Sequence, residues 1–339
     1  MKLSYILLPA LALLCAACSP IVHVHESEHR PAMTEHADED YVPVTIENID
    51  EKGAPRSEVY DHPPERVVAV WQNSIETLLA LGVGDRIVAG MGVPDARYIR
   101  PAYRAAYEAI PYTSLENLDV ETILMMQPDL IVGWASTFSP KVLRGTSFWA
   151  GRGVHTYIAP SSSRATEGKT IAQECEDIRN LGRIFGREER AAALVGEMQD
   201  EIAYVAGRTA HMEKRPRALV IELMGKEIRS YGAHTLAGDM MRALGAEHLA
   251  ADGQSLSMEE IIALDPDAIF LVVIEDDYGN EDAILARLYE NPALRSLSCV
   301  QQHRIYTVPL YAVYSAGIRA YDGITIFAHG LYPEIYDTP

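Results

Sequence analysis

The stretch "VETILMMQPDLIVG", residues 120–133, decides the fold, because the chain writes it a second time as "MEEIIALDPDAIFL", residues 258–271. Glu121/Glu259, Ile123/Ile261, Pro128/Pro266, Asp129/Asp267 and Ile131/Ile269 match at a constant offset of 138 residues. In each copy, apolar residues fall at helical spacing as far as the proline, which ends a helix, and the short apolar run beyond it reads as a buried strand. A helix feeding a strand, written twice, points to a duplicated α/β unit.

The surroundings of the two copies agree with that reading. Before the first stand a strand "RVVAV" (66–70), a helix "SIETLLALG" (74–82) stopped by Gly82, and a strand "RIVAG" (86–90). After it come a helix around 139–150 and a strand "HTYIAP" (155–160). Before the second stand a strand "RALVIEL" (217–223) and a helix "TLAGDMMRALG" (235–245). After it come a helix near 281–290, a strand "RIYTVP" (304–309) and a closing helix "SAGIRAYDGITIFAHGLYP" (315–333). Short strands alternating with helices pair in parallel through right-handed crossovers. The longest helical pattern lies between the halves, and beyond Gly186 it runs unbroken over residues 187–212. At 1.5 Å per residue that is nearly 40 Å, about enough to bridge two lobes. The expected fold is therefore α/β: two similar lobes, each with a central, mainly parallel sheet flanked by helices, joined by one long linking helix. The expected boundaries are 62–186 for the first lobe, 187–213 for the linking helix and 214–339 for the second lobe.

The 339 residues suit two domains of about 100–150 residues each. A net charge of -19 leaves no basic surplus to neutralise phosphates, which excludes a nucleic-acid binder. The first 18 residues, "MKLSYILLPALALLCAAC", carry Lys2, an apolar run and small residues before a cysteine. That layout is a secretory signal over residues 1–17 and is too short to span a membrane as a helix. Ending in Cys18 it also resembles the bacterial lipobox, with Cys15 where leucine is usual. The resemblance implies a lipidated Cys18, an anchor in the bacterial membrane and an extracytoplasmic location. Residues 18–61 are polar and acidic and read as a flexible tether. Its His23, His25, His29 and His36 either hold a zinc, copper or nickel ion weakly or belong to a solvated leash. Cys175 and Cys299 fall in different lobes and are expected to be separate structural thiols.

Five segments in order carry a family resemblance: "PERVVAVWQNSIETLLALGVGDRIVAG", "LENLDVETILMMQPDLIVGW", "MEEIIALDPDAIFLV", "ALRSLSCVQQHRIYTVP" and "IRAYDGITIFAHGLYPEIY". Over roughly residues 62–336 the chain resembles the periplasmic-binding-protein family that serves ABC importers of iron–siderophore complexes, haem and cobalamin. The resemblance implies a ligand cleft between the lobes, no catalysis and no intrinsic cofactor. A monomer would deliver an iron chelate, a ferric siderophore first, to a permease dimer with its ATPase subunits. It also implies that Glu121 and Glu259, one on each lobe, dock into arginine pockets of the permease. A helix-borne carboxylate can form a bidentate charge-assisted pair with arginine; the plain alternative is two glutamates on solvated helix faces.

Ligands of open α/β sheets bind beyond the carboxyl ends of the strands. The loops there present Trp71, Tyr98, Arg100 and Trp134 from the first lobe and Arg229, Tyr231, Tyr311 and Arg319 from the second. Aromatic rings stack on planar chelates, and guanidinium groups pair with carboxylates or anionic chelates. Haem would add an axial ligand, for which Tyr98, Tyr231 and His234 stand in suitable loops. A zinc or manganese carrier needs converging His and carboxylate ligands, whereas the cleft loops hold mainly His234. A chelatase-like enzyme would need paired acid and base groups facing one cleft. The chain has no G-x-S-x-G, H-E-x-x-H or Walker loop, and "AGMGVPD" lacks the third glycine of a dinucleotide fingerprint.

Overall fold

A computed structural model describes residues 41–225, 227–250 and 254–336. The leader, Cys18 and the histidines 23, 25, 29 and 36 lie outside the described residues.

The first lobe is built on strands β3 (Val67–Val70), β4 (Ile87–Met91), β5 (Thr113–Ser114), β6 (Leu130–Gly133) and β7 (His155–Ile158), all parallel in the order β5-β4-β3-β6-β7. Its helices are α1 (Gln72–Ala80), α2 (Pro101–Glu108), α3 (Val120–Met125), α4 (Thr146–Ala150) and α5 (Ile171–Ile184). Every residue of β3 and β6 is buried, as expected of parallel strands covered on both faces. A capping box between Thr170 and Gln173 starts α5.

The linking helix α6 (Glu188–Thr209) has 22 residues, about 33 Å at the usual rise. Ala191, Leu194, Val195, Met198 and Val205 form its buried stripe. It is fastened to both halves: Arg190 Nε donates to Ala80 O at the end of α1 (2.8 Å), and Tyr204 Oη donates to Ile335 O near the carboxyl end (3.2 Å).

In the second lobe the strands are β8 (Arg217–Met224), β9 (Glu227–Ser230), β10 (Glu247–His248), β11 (Ser255–Leu256), β12 (Ala268–Val273) and β13 (Ile305–Pro309). The helices are α7 (Leu236–Ala243), α8 (Met258–Leu264), α9 (Glu281–Tyr289), α10 (Ser298–Gln301), α11 (Leu310–Val313) and α12 (Ala320–Leu331). The sheet order is β11-β9-β8-β12-β13. β8, β12 and β13 run parallel, like β3, β6 and β7, and β10 adds in parallel at the start of β8. The lobes differ beside the central strand: β4 is parallel to β3, whereas β9 folds back antiparallel on β8. The loop expected to present Arg229 and Tyr231 is therefore partly a strand.

The duplicated phrase has a structural role of its own. Asp129 accepts from the backbone N–H groups of Glu65 (2.7 Å) and Arg66 (2.9 Å), while its own N–H donates to Arg66 O (3.0 Å). Asp267 does the same one lobe later, accepting from Arg217 N–H (2.9 Å) and donating to Arg217 O (2.7 Å). Each Pro-Asp thus clamps the start of its strand to the start of the central strand.

The tether expected over 18–61 needs correction at its carboxyl end. Residues 44–60 form an antiparallel hairpin of β1 (Val44–Ile49) and β2 (Pro55–Tyr60). The Asn48 side chain accepts from Ile158 N–H (3.0 Å) and donates to Ile158 O (2.9 Å), so it stands in for a strand at the free edge of β7. Only Ile46, Asn48 and Tyr60 of the hairpin are buried, which explains why its sequence lacks an apolar period. Two helices expected as continuous are shorter. Only Thr146–Ala150 of 139–150 is helical, after Arg144 takes φ 65°. The closing helix breaks at Gly317 (φ 55°), where a Cβ would lie 2.5 Å from Thr77 Oγ1, and α12 begins at Ala320.

Candidate functional site

The carboxyl ends of the strands of both lobes meet at a seam lined by two aromatic groups. The first starts where β3 ends. Trp71 takes φ 74°, a strained value for a bulky residue, with its N–H donating to Met91 O (2.7 Å). Gly92 (φ 90°) makes this possible, since a Cβ there would sit 2.9 Å from Trp71 Cε3. The Trp71 indole stacks on Trp134 with centroids 4.7 Å apart and planes 22° apart. Their N–H groups are committed, Trp71 Nε1 to Thr137 Oγ1 (3.2 Å) and Trp134 Nε1 to Asn73 Oδ1 (2.9 Å). Tyr314 of the second lobe meets Trp134 edge-on at 5.4 Å. In the second group Tyr98 packs on Tyr278 across the seam at 4.7 Å, and Tyr278 meets Tyr311 edge-on at 5.7 Å.

A buried ion network lies beneath the aromatics. Arg319 Nη1 donates to both oxygens of Glu76 (2.9 and 2.8 Å) and to Tyr98 O (3.2 Å). Its Nε makes an ion-pair contact with Asp322, which also pairs with Arg100. Arg100 N–H donates to Glu76 Oε1 (2.6 Å). Arg319 also lies over the Tyr311 ring, 4.2 Å from its centroid. Burial would lower the basicity of Arg319, but Asp322 and Glu76 outweigh it and raise it. Burial would also raise the Asp322 carboxyl, but Arg319 and Arg100 hold it below its ordinary range.

The segment 315–319 crosses the seam and is fixed to the first lobe. Glu174 Oε2 accepts from Gly317 N–H (2.7 Å), and Ser161 Oγ donates to Ser315 Oγ (3.2 Å). Burial pushes the Glu174 carboxyl up, and burial with the neighbouring Glu174 charge pushes Asp177 up further. Tyr157 Oη donates to Asp177 (2.8 Å).

Of the eight residues expected at the cleft, Trp71, Tyr98, Trp134 and Tyr311 are brought to the seam, with Arg100 and Arg319 in the network below. Tyr231 donates its hydroxyl to Glu222 (2.7 Å) and lies within electrostatic reach of Tyr314. Arg229 is exposed on β9, in register with Glu222 of β8. Sequence reasoning missed Glu76, Asp322 and Tyr278. The signal for Glu76 was a charged residue inside the otherwise apolar helix "SIETLLALG"; for Asp322 it was the i,i+3 spacing from Arg319.

Glu121 and Glu259 are each the second residue of their helix, α3 and α8, and both are exposed. Asp119 and Ser257 cap the two helices alike, accepting from Thr122 N–H and Glu260 N–H. Cys175 and Cys299 are free and buried, and burial pushes both thiols up to about 11. Among the described residues no group of three or more His, Cys, Asp or Glu is placed to hold a metal ion, and no helix is long and apolar enough to cross a membrane.

Comparison with known proteins gives concordant matches. The family model described as "Periplasmic binding protein" matches residues 67–312. The fold is similar to the crystal structure of a periplasmic binding protein from Veillonella parvula, with 48% identity, a TM-score of 0.83, and coverage of 87% of this chain and 93% of that one. It is also similar to an ABC-type Fe3+-hydroxamate transport system protein from Saccharomonospora viridis, with 25% identity, a TM-score of 0.67, and coverage of 88% and 100%. In sequence the chain is 23% identical over 305 residues, 87% of each, to an uncharacterized ABC transporter substrate-binding lipoprotein of Bacillus subtilis.

Proposed function

We propose, from the premise that this chain belongs to the periplasmic binding protein family, that it is the substrate-binding component of an ABC importer and carries a metal chelate between its lobes. The observation that carries this reading is the seam itself: in each of two aromatic groups, rings of the two lobes touch across it at the carboxyl ends of the strands. Rings so placed would hold a ligand by stacking, and the protein would bind and release it without turnover.

The charges favour one kind of chelate. Arg100 and Arg319 are balanced within the protein by Glu76 and Asp322, so they support the lobes rather than meet an anion. A ferric trihydroxamate, in which three anionic groups neutralise Fe3+, suits such a site better than a strongly anionic chelate does. A ferric siderophore of low net charge is therefore the first reading. Cobalamin or haem is the second, since the same rings would stack on a flat macrocycle.

Titration of the mature protein with ferrioxamine B, cyanocobalamin and hemin, followed by visible absorption and calorimetry, tests this. The expected result is stoichiometric binding of ferrioxamine B, more tightly than of the other two. Tighter binding of a macrocycle would replace the first reading by the second, and failure of all three to bind would sink both.

Glu121 and Glu259 are proposed to dock on the permease, and Cys18 to carry the lipid that holds the protein at the membrane. For the latter, Cys18→Ser should move the protein from the membrane fraction to the soluble one. Continued anchorage of that variant would exclude lipidation at Cys18.

A further inference from the structure

The seam holds a buried hydroxyl with nothing to donate to among the described residues. Tyr278 lies just after the turn Glu275–Asp277 that follows β12, and it is only 9% exposed. Among the described residues its Oη has no hydrogen-bond partner of acceptable geometry, although the backbone N–H of Tyr311 lies beside it. That neighbour is itself a donor and leaves the phenolic proton unspent. Burying a hydroxyl in this state is unfavourable, and native proteins seldom do so without reason.

Two of its polar neighbours are engaged: Tyr98 Oη donates to the carbonyl of Tyr278 (3.4 Å), and Arg319 is held by Glu76 and Asp322. The Glu275 carboxylate acts on the phenol through its charge but makes no hydrogen bond to it. The free proton thus sits where rings of the two lobes touch, in a contact that a ligand entering between the lobes would part.

We infer that the Tyr278 hydroxyl is the donor by which the second lobe grips an acceptor oxygen of the bound chelate. The inference rests on the proposed function and names a residue and an atom within it. The ligand chemistry it selects is a negatively polarised oxygen at the edge of the chelate, as a hydroxamate or carboxylate presents.

Tyr278→Phe tests it, because the ring and its packing on Tyr98 and Tyr311 remain while the hydroxyl goes. With ferrioxamine B as probe, affinity should fall about tenfold, the order expected for one lost hydrogen bond to a polarised oxygen. The thermal midpoint of the ligand-free variant should be unchanged or higher than that of the unmodified protein. Equal affinities would overturn the inference, as a hydroxyl served only by water would give. A lowered midpoint without ligand would also overturn it, by revealing an internal partner. Should the unmodified protein bind none of the three chelates, the proposed function fails first and takes this inference with it; loss of affinity confined to the variant cannot be confused with that outcome.

Discussion

Arg319→Ala should destabilise the protein by about 3–5 kcal/mol, the range for removing one partner of a buried charge pair. Arg319 is 6% exposed and Glu76 fully buried, so the vacated guanidinium site would not be filled by bulk water. Glu76 would keep the Arg100 backbone N–H but lose the guanidinium that pairs with both its oxygens, and Asp322 would keep Arg100. Urea unfolding measures the loss, and a change below about 1 kcal/mol, the ceiling for most exposed pairs, would show that the network is not a structural support. The loss should depend on pH. Asp322 is held below its ordinary range when folded, so its contribution is present above the unfolded carboxylate value, about 3.9, and fades as pH falls below it. With Arg319 removed, the acid side of the stability curve should flatten. Glu174 and Asp177 work in the opposite sense: their raised values make the folded state lose stability as pH climbs through them.

Replacing both Glu121 and Glu259 with alanine should reduce import to background while chelate affinity stays as it was. Each carboxylate is exposed at the first turn of its helix, at matching positions in the two lobes. Truncating one partner of a buried interfacial charge pair costs about 2–5 kcal/mol, mostly through faster dissociation. One replacement should therefore slow uptake strongly, and two should end it. Transport assays beside chelate titration separate the roles. Undiminished uptake in the double variant would leave the glutamates as surface decoration.

Periodic apolar pattern made much of this fold readable. β3 and β12 are buried throughout and read as continuous apolar runs, and α6 buries residues at helical spacing along one side. The β1–β2 hairpin escaped notice because it buries little and holds the sheet edge through Asn48 rather than through a row of valines. β9 escaped because its antiparallel return replaces a crossover that the first lobe does have. The repeated phrase was read for its glutamates, yet half of it, the Pro-Asp, is accounted for by the strand clamps of Asp129 and Asp267.

At the seam, the rule that ligands lie beyond strand ends found the aromatic residues. It could not show that Arg100 and Arg319 are already paired. Glu76 is separated from Arg319 by 243 positions, and only the folded chain brings them together. Tyr278 was not singled out, because an unmet hydroxyl has no signature in sequence.

The tryptophan stack also gives the protein an optical property of its own. The chain has three tryptophans, and two of them, Trp71 and Trp134, stand face to face where the lobes meet. The third, Trp149, is fully buried in the core of the first lobe. Near-ultraviolet emission therefore divides into a coupled pair at the seam and a sheltered reference within the same lobe, so binding at the proposed site should change the first signal and leave the second as an internal standard.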